Sequence, residues 1–216
     1  MVSIMNEIKE ATVSGNLEEV IAGIDRAITE NVSVEEIIQN GLIDAMAVVG
    51  GRFSNNEIFV PEMLIAARAM KGGIEKLRPL MVGKEMKTIA TVVIGSVKGD
   101  LHDIGKNLVA IMLDGSGFKV IDIGVDISIE KFISAVNIHK PQFLGLSALL
   151  TTTMAAMRET VDAFKRDKAH KSLRIIVGGA PVTQNFSDDI GADAYAENAA
   201  TAVDKLKEML NQRCQR

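Results

Sequence analysis

TIATVVIGSVKGDLHDIGKNLVAIMLDG, residues 88–115, passes from a β-branched apolar run through a glycine-flanked polar turn into a helical pattern. Strand, tight turn and helix in that order open a parallel βα unit. TIATVVIG reads as the strand and 104–116 as the helix. The turn from Gly99 to Gly105 sets His102, one of only three histidines, between Asp100 and Asp103. The rest of the chain has to explain why.

Downstream, the short runs KVIDIG, FLGLS, RIIVGG and, more weakly, ADAYA alternate with amphipathic stretches at 129–139, 153–168, 182–190 and 197–211. Five βα units within residues 88–213 suit a flavodoxin-like (Rossmann-like) five-stranded parallel sheet domain, since a dinucleotide fold needs more chain. Ligands of such sheets sit beyond the carboxyl ends of the strands, where strand order reverses. GDLHDIG leaves the first strand and belongs at that edge.

Upstream the period changes. Leu17, Val20, Ile21, Ile24 and Ile28, then Val34, Ile37, Ile38, Leu42, Ala45, Met46 and Val49, recur at helical spacing. Ser33 with Glu36 forms a capping-box pattern, and Pro61 suits a helix's first turn. Helices are expected near 3–13, 17–30, 33–49 and 61–79, packed as a four-helix bundle. The α/β chain thus divides into a helical domain, 1–83, and a sheet domain, 88–213, around the polar segment VGKEMK.

Composition removes several classes of function. A net charge of −4 without a basic stripe gives nucleic acid no electrostatic footprint. The acidic, interrupted N-terminus is no secretory leader, and GLIDAMAVVGG is too short to span a bilayer, so no membrane partner and a cytoplasmic location are expected. The single cysteine, Cys214, excludes an internal disulfide or a cysteine-rich zinc site. Cys214 reads as an incidental thiol.

Motif spacing removes more. Gly99 and Gly105 enclose five residues and Lys106 is followed by Asn107, so the phosphate-loop pattern fails. Gly115 and Gly117 precede a strand instead of opening a helix, which argues against a dinucleotide fingerprint. A phospho-receiver would want acidic residues where IGSVKG and LGLSALL stand. His139 and His170, outside any zinc-protease spacing, are expected to be solvated. Ile58, Phe59 and the methionines are expected to be ordinary packing.

In a tight turn, a histidine two residues after an aspartate can give one ring N–H to the carboxylate and turn its other nitrogen outward. That is how a metal ligand is oriented. With one protein ligand, the metal must bring its others, as a macrocycle does.

The residues Asp100-Leu101-His102-Asp103-Ile104-Gly105, Ser147-Ala148-Leu149 and Gly178-Gly179, in that order after strands one, three and four, resemble the D-x-H-x-x-G, S-x-L and G-G parts of cobalamin-binding domains. GGRFSNNEIFVPEM looks like the helical cap of methionine synthase and of the small corrinoid proteins of methyl-transfer systems. The resemblance implies cobalamin (methylcobalamin or a related corrinoid) bound with its cobalt ligated by His102 in place of the cofactor's own base. Asp100 would bond His102, and Thr153, where methionine synthase has serine, would complete the relay. Gly99, Leu101, Asp103, Ile104 and Gly105 would touch the cofactor. Ser147, Leu149, Thr151, Gly178 and Gly179 would line its nucleotide tail, with Ala199 at the far end. Phe53 and Val60 match the cap residues that shield the methyl-bearing face. Each has a plain alternative: Gly178-Gly179 ending a strand, Asp100 capping a helix, Phe53 and Val60 anchoring a loop.

The same resemblance implies a methyl carrier without catalysis of its own. It would accept a methyl group on Co(I) from a substrate:corrinoid methyltransferase and donate it from methyl-Co(III) to a methylcorrinoid:tetrahydrofolate or coenzyme M methyltransferase, with a reductive activase as a further partner. The segment from Val82 to Lys87 would be the hinge of the cap. The alternatives are the small cobalamin-binding subunit of a radical mutase, which lacks such a cap, and a cobalamin sensor, which would carry a signalling or DNA-binding module.

Overall fold

In the computed structural model, residues 4–81 and 88–213 are described, and they divide into a helical unit, 4–81 with 115–117, and a sheet unit comprising the rest. The hinge expected at Val82 to Lys87 and the thiol of Cys214 lie outside the described residues.

Helices α1 (Ile4–Ser14) and α2 (Leu17–Thr29) pair first, with Asn16 accepting the Glu19 N–H at the start of α2. Ser33 likewise accepts the Glu36 N–H at 3.1 Å, opening α3 (Val34–Glu36). The third helix departs from expectation: α3 passes into a π-helical stretch, Ile37–Ile43, and then into α4 (Asp44–Ser54). Helix α5 (Val60–Leu77) begins with Pro61 in its first turn and with the Glu62 carboxylate accepting the Phe59 N–H. Ile8, Val20, Ile24, Ile37, Leu42, Met46 and Met63 are fully buried and form the core of this unit. Phe59 overturns the packing expectation. It is 64% exposed, because its ring lies ahead of the helix it precedes.

The sheet unit alternates strictly. Its elements are β1 (Thr91–Ser96), α6 (Ile104–Gly115), β2 (Lys119–Asp122), α7 (Ile129–His139), β3 (Phe143–Ser147), α8 (Met154–Arg166), β4 (Arg174–Gly178), α9 (Gln184–Asp189), β5 (Ala194–Ala196) and α10 (Ala199–Arg213). All pairings are parallel and the order is β2-β1-β3-β4-β5, the flavodoxin-like arrangement. Val93, Phe132, Leu144, Leu146, Val161, Phe164 and Val177 fill its core. No helix among the described residues is long and apolar enough to cross a membrane.

Candidate functional site

Strand order reverses between β1 and β3, and the loops that leave these two strands meet there. Register aligns the ends: Ser96 pairs with Ser147, Ser147 with Gly178, and Gly178 with Ala196. The three separated parts of the motif are therefore brought to one edge.

Asp100 is the centre of the arrangement. It is wholly buried, and donors converge on both of its oxygens. Oδ1 accepts the His102 N–H at 3.1 Å and lies 2.9 Å from His102 Nδ1. Oδ2 accepts the Leu149 N–H at 2.6 Å, the Leu150 N–H at 3.4 Å and the Thr153 hydroxyl at 2.7 Å. Burial pushes the carboxyl upward, but the bonds from Leu149, Thr153 and His102 to the anion outweigh it and hold the group far below the ordinary carboxylate range. Asp100 is an anion facing an imidazole, and it caps no helix.

This fixes the imidazole. Because Asp100 only accepts, Nδ1 carries a proton and donates it, and Nε2 is turned away from the carboxylate. The His102 side chain is 50% exposed and Nε2 has no hydrogen bond among the described residues. Ser96, fully buried at the end of β1, donates its hydroxyl to the His102 carbonyl at 2.7 Å. The ring is thus held by its own backbone as well as by its proton.

Thr153 ends the short 3-10 turn Thr151–Thr153 after β3. Its hydroxyl oxygen lies 2.7 Å from Asp100 Oδ2 and 2.8 Å from the Leu150 carbonyl, so a single proton faces two acceptors. Leu101, Ile104, Leu149 and Leu150 surround this centre and are exposed, at 72%, 76%, 42% and 41%. Apolar side chains left so open beside a half-exposed ring are suited to a flat apolar ligand. Gly105 adds room, since a Cβ there would meet nothing within 4 Å. Asp103 opens α6: its carbonyl accepts the Asn107 N–H and its carboxylate the Asn107 side-chain amide.

The remaining residues are more scattered. Ser147 is half-buried at the end of β3, and its carbonyl accepts the Val97 N–H. Thr151 is exposed in the 3-10 turn, and Ala199 is buried at the start of α10. A Cβ on Gly179 would lie 1.9 Å from the Ala148 carbonyl oxygen, and one on Gly178 would lie 2.8 Å from that of Ala196. The chain's own backbone thus already requires both glycines, and Gly179 also has φ +122°. Phe53, in the last turn of α4, and Val60, first in α5, flank one turn of the helical unit and are half-buried.

His139 is exposed as expected, but His170 is not. Its side chain is 9% exposed, its Nε2 lies 3.0 Å from Asn137 Oδ1, and its ring stands edge-on to Phe164. The turn between α8 and β4 folds it back onto α7.

Sequence reasoning missed four contributors: the amides of Leu149 and Leu150, the hydroxyl of Ser96 and the side chain of Lys106. Backbone donors leave no mark in sequence. Lys106, 1% exposed at its side chain, pairs with Asp122 at the end of β2 and donates to Asn107 Oδ1. A lysine opening an otherwise apolar helix face was the available signal.

Among the described residues no three His, Cys, Asp or Glu side chains gather as ligands for a bare metal ion. One oriented imidazole among apolar side chains fits a metal that carries its own equatorial ligands. The comparisons agree. Residues 90–204 match a family described as B12 binding domain, and residues 4–78 match a second one with that description. The chain is 40% identical over 208 residues to dimethylamine corrinoid protein 1 of Methanosarcina mazei, covering 96% of each. Among solved structures it is similar to the methanol:cobalamin methyltransferase complex MtaBC from Methanosarcina barkeri, with TM-score 0.85 and 32% identity over 96% of this chain and 80% of that one. It is also similar to a cobalamin-binding protein from Desulfitobacterium hafniense, with TM-score 0.81 and 31% identity over 96% and 98%. With its sheet, its buried Asp100 and its free imidazole nitrogen accounted for, the chain belongs to the B12-binding corrinoid proteins of methyltransferase systems.

Proposed function

We propose that this protein is a corrinoid methyl carrier in which His102 Nε2 is the lower ligand of cobalt. The observation that carries this reading is the Asp100–His102 pair, whose geometry leaves one imidazole nitrogen unbonded on an apolar, exposed edge. The bound corrinoid supplies a nucleophile that accepts a methyl group and later releases it to a second acceptor.

The chain's own residues do the rest. Asp100 holds the tautomer and the orientation of the ring, and Thr153 with the Leu149 amide stabilises the anion that does so. The Asp100 anion would also balance positive charge brought to Nε2, whether by a metal or by a proton. Leu101, Ile104, Leu149 and Leu150 keep water from the ligating face, while Gly105 allows close approach. The tail-lining role of Ser147, Thr151, Gly178, Gly179 and Ala199, the shielding role of Phe53 and Val60, and the division into cap 1–83 and cofactor domain 88–213 belong to this same reading.

A donor-specific methyltransferase loads the carrier, a second one unloads it to tetrahydrofolate or coenzyme M, and a reductive activase restores the reduced metal. Similar chains bear the names of dimethylamine and methanol systems, which supports a carrier whose partner chooses the donor. The purified chain mixed with cobalamin is expected to take it up with a visible spectrum that changes on His102→Ala. An unchanged spectrum, or no uptake by the unaltered chain, would overturn the reading.

A further inference from the structure

Asp126 stands in the turn after β2 with φ +53°, a left-handed conformation uncommon for a residue with a side chain. Its carboxylate Oδ1 accepts the Gly99 N–H at 2.7 Å, and its own N–H donates to the Asp100 carbonyl at 2.9 Å. Gly99, at φ +83°, is the residue from which Asp100 departs. One residue therefore grips both ends of the Gly99–Asp100 dipeptide. The β1 ladder has ended by then: Ser96 is the last strand residue, and Val97 beyond it forms an isolated bridge to Ile127. Just past the loop, the buried Lys106 in the first turn of α6 reaches Asp122 at the end of β2, whose Oδ1 in turn accepts the Gly124 N–H. The loop that carries His102 is thus tied before it by the turn after β2 and beyond it by the end of β2.

We propose that Asp126 is a positioning residue for the His102–Asp100 pair. By accepting the Gly99 N–H it fixes the direction in which Asp100 leaves β1, and so sets the fraction of molecules in which His102 is held on the bound cobalt. This rests on the reading that His102 is the lower ligand. The role is one of acceptor geometry, so asparagine can fill it and glycine cannot. Glycine adopts a left-handed φ freely and asparagine tolerates it, so neither strains the turn.

The test uses the full chain with nitrogen-15 histidine, loaded with unlabelled cobalamin and reduced to the Co(II) state for electron paramagnetic resonance. An axial nitrogen-15 splits the high-field lines into doublets, whereas the cofactor's own nitrogen-14 base gives triplets. The unaltered chain and Asp126→Asn are expected to show doublets. Asp126→Gly is expected to lose more than half of the doublet intensity while still binding cobalamin, a change that loss of stability alone would not produce in a folded, loaded sample. Full doublet intensity in Asp126→Gly, or an equal loss in Asp126→Asn, overturns the proposal. Absence of doublets in the unaltered chain sinks the His102 reading instead. Should Asp126→Gly fail to fold, amide exchange in the unaltered chain decides: the Gly99 amide is expected to be protected at least about tenfold over an unstructured peptide, and an unprotected amide overturns the proposal.

Discussion

Two aspartates at opposite edges of one sheet are both crowded with donors, and the donors differ in kind. Asp193, at the amino-terminal edge, is 11% exposed at its side chain and takes Lys165 at 3.0 Å, Arg174 at 2.9 Å and the Ile175 N–H at 2.8 Å. Asp100, at the carboxyl-terminal edge, is fully buried and takes amides, a hydroxyl and an imidazole. The first carboxylate is neutralised by cations and serves the fold. The second is solvated by neutral dipoles, which stabilise its charge without cancelling it. The charge of Asp100 remains available to the ring beside it, which is what a ligand-tuning carboxylate needs.

The contrast breaks most readily under truncation. Asp100→Ala strands the Leu149 and Leu150 amides and the His102 ring, and is expected to cost about 3 kcal/mol or more in urea unfolding. Asp193→Ala leaves Lys165 and Arg174 free to turn to water, since both are more than two-fifths exposed, and is expected to cost about 1–2 kcal/mol. Equal costs would mean that the two sites are held alike.

Acid sharpens the difference. The folded-state pKa of Asp100 lies far below its unfolded value, so its contribution is complete above the ordinary carboxylate range near pH ~4 and is lost progressively as pH falls below it. Asp100→Asn is expected to flatten the fall in unfolding free energy between about pH 5 and 3. An identical slope in the variant would show that the carboxylate is not held as described.

Thr153→Val keeps the side chain's shape but removes the hydroxyl, at an expected cost of about 1–2 kcal/mol, and Thr153→Ser should restore most of it. Smallest of all is Gly105→Ala. With no atom within 4 Å of the added methyl, and a position in the first turn of α6, stability should rise by up to about 0.5–1 kcal/mol while cobalamin affinity falls. Unaffected affinity would remove Gly105 from the ligand face.

The fold was legible because each β-branched run and each helical stripe stated its own period, and the parallel order follows from their alternation. The π-helical stretch at Ile37–Ile43 was not legible: its apolar residues keep nearly the same stripe whether the turn holds 3.6 residues or more. At the site, Asp100 and His102 were readable as residue types two apart in a tight turn, whereas Thr153 was reached only through the family resemblance. The grip of Asp126 on Gly99 was not, because an aspartate in a polar turn looks the same whether it meets water or another loop. Phe59 misled for a related reason, since its apolar character says nothing of which side of a helix start it occupies.

The Thr153 hydroxyl is poised between the Asp100 carboxylate and the Leu150 carbonyl. Its one hydrogen can rotate from the first oxygen to the second without any heavy atom moving. If strong acid protonates the carboxylate, the new proton can turn to the threonine oxygen as that hydrogen swings away. The first answer of this edge to acid is therefore a turned hydroxyl, ahead of any shift of the main chain.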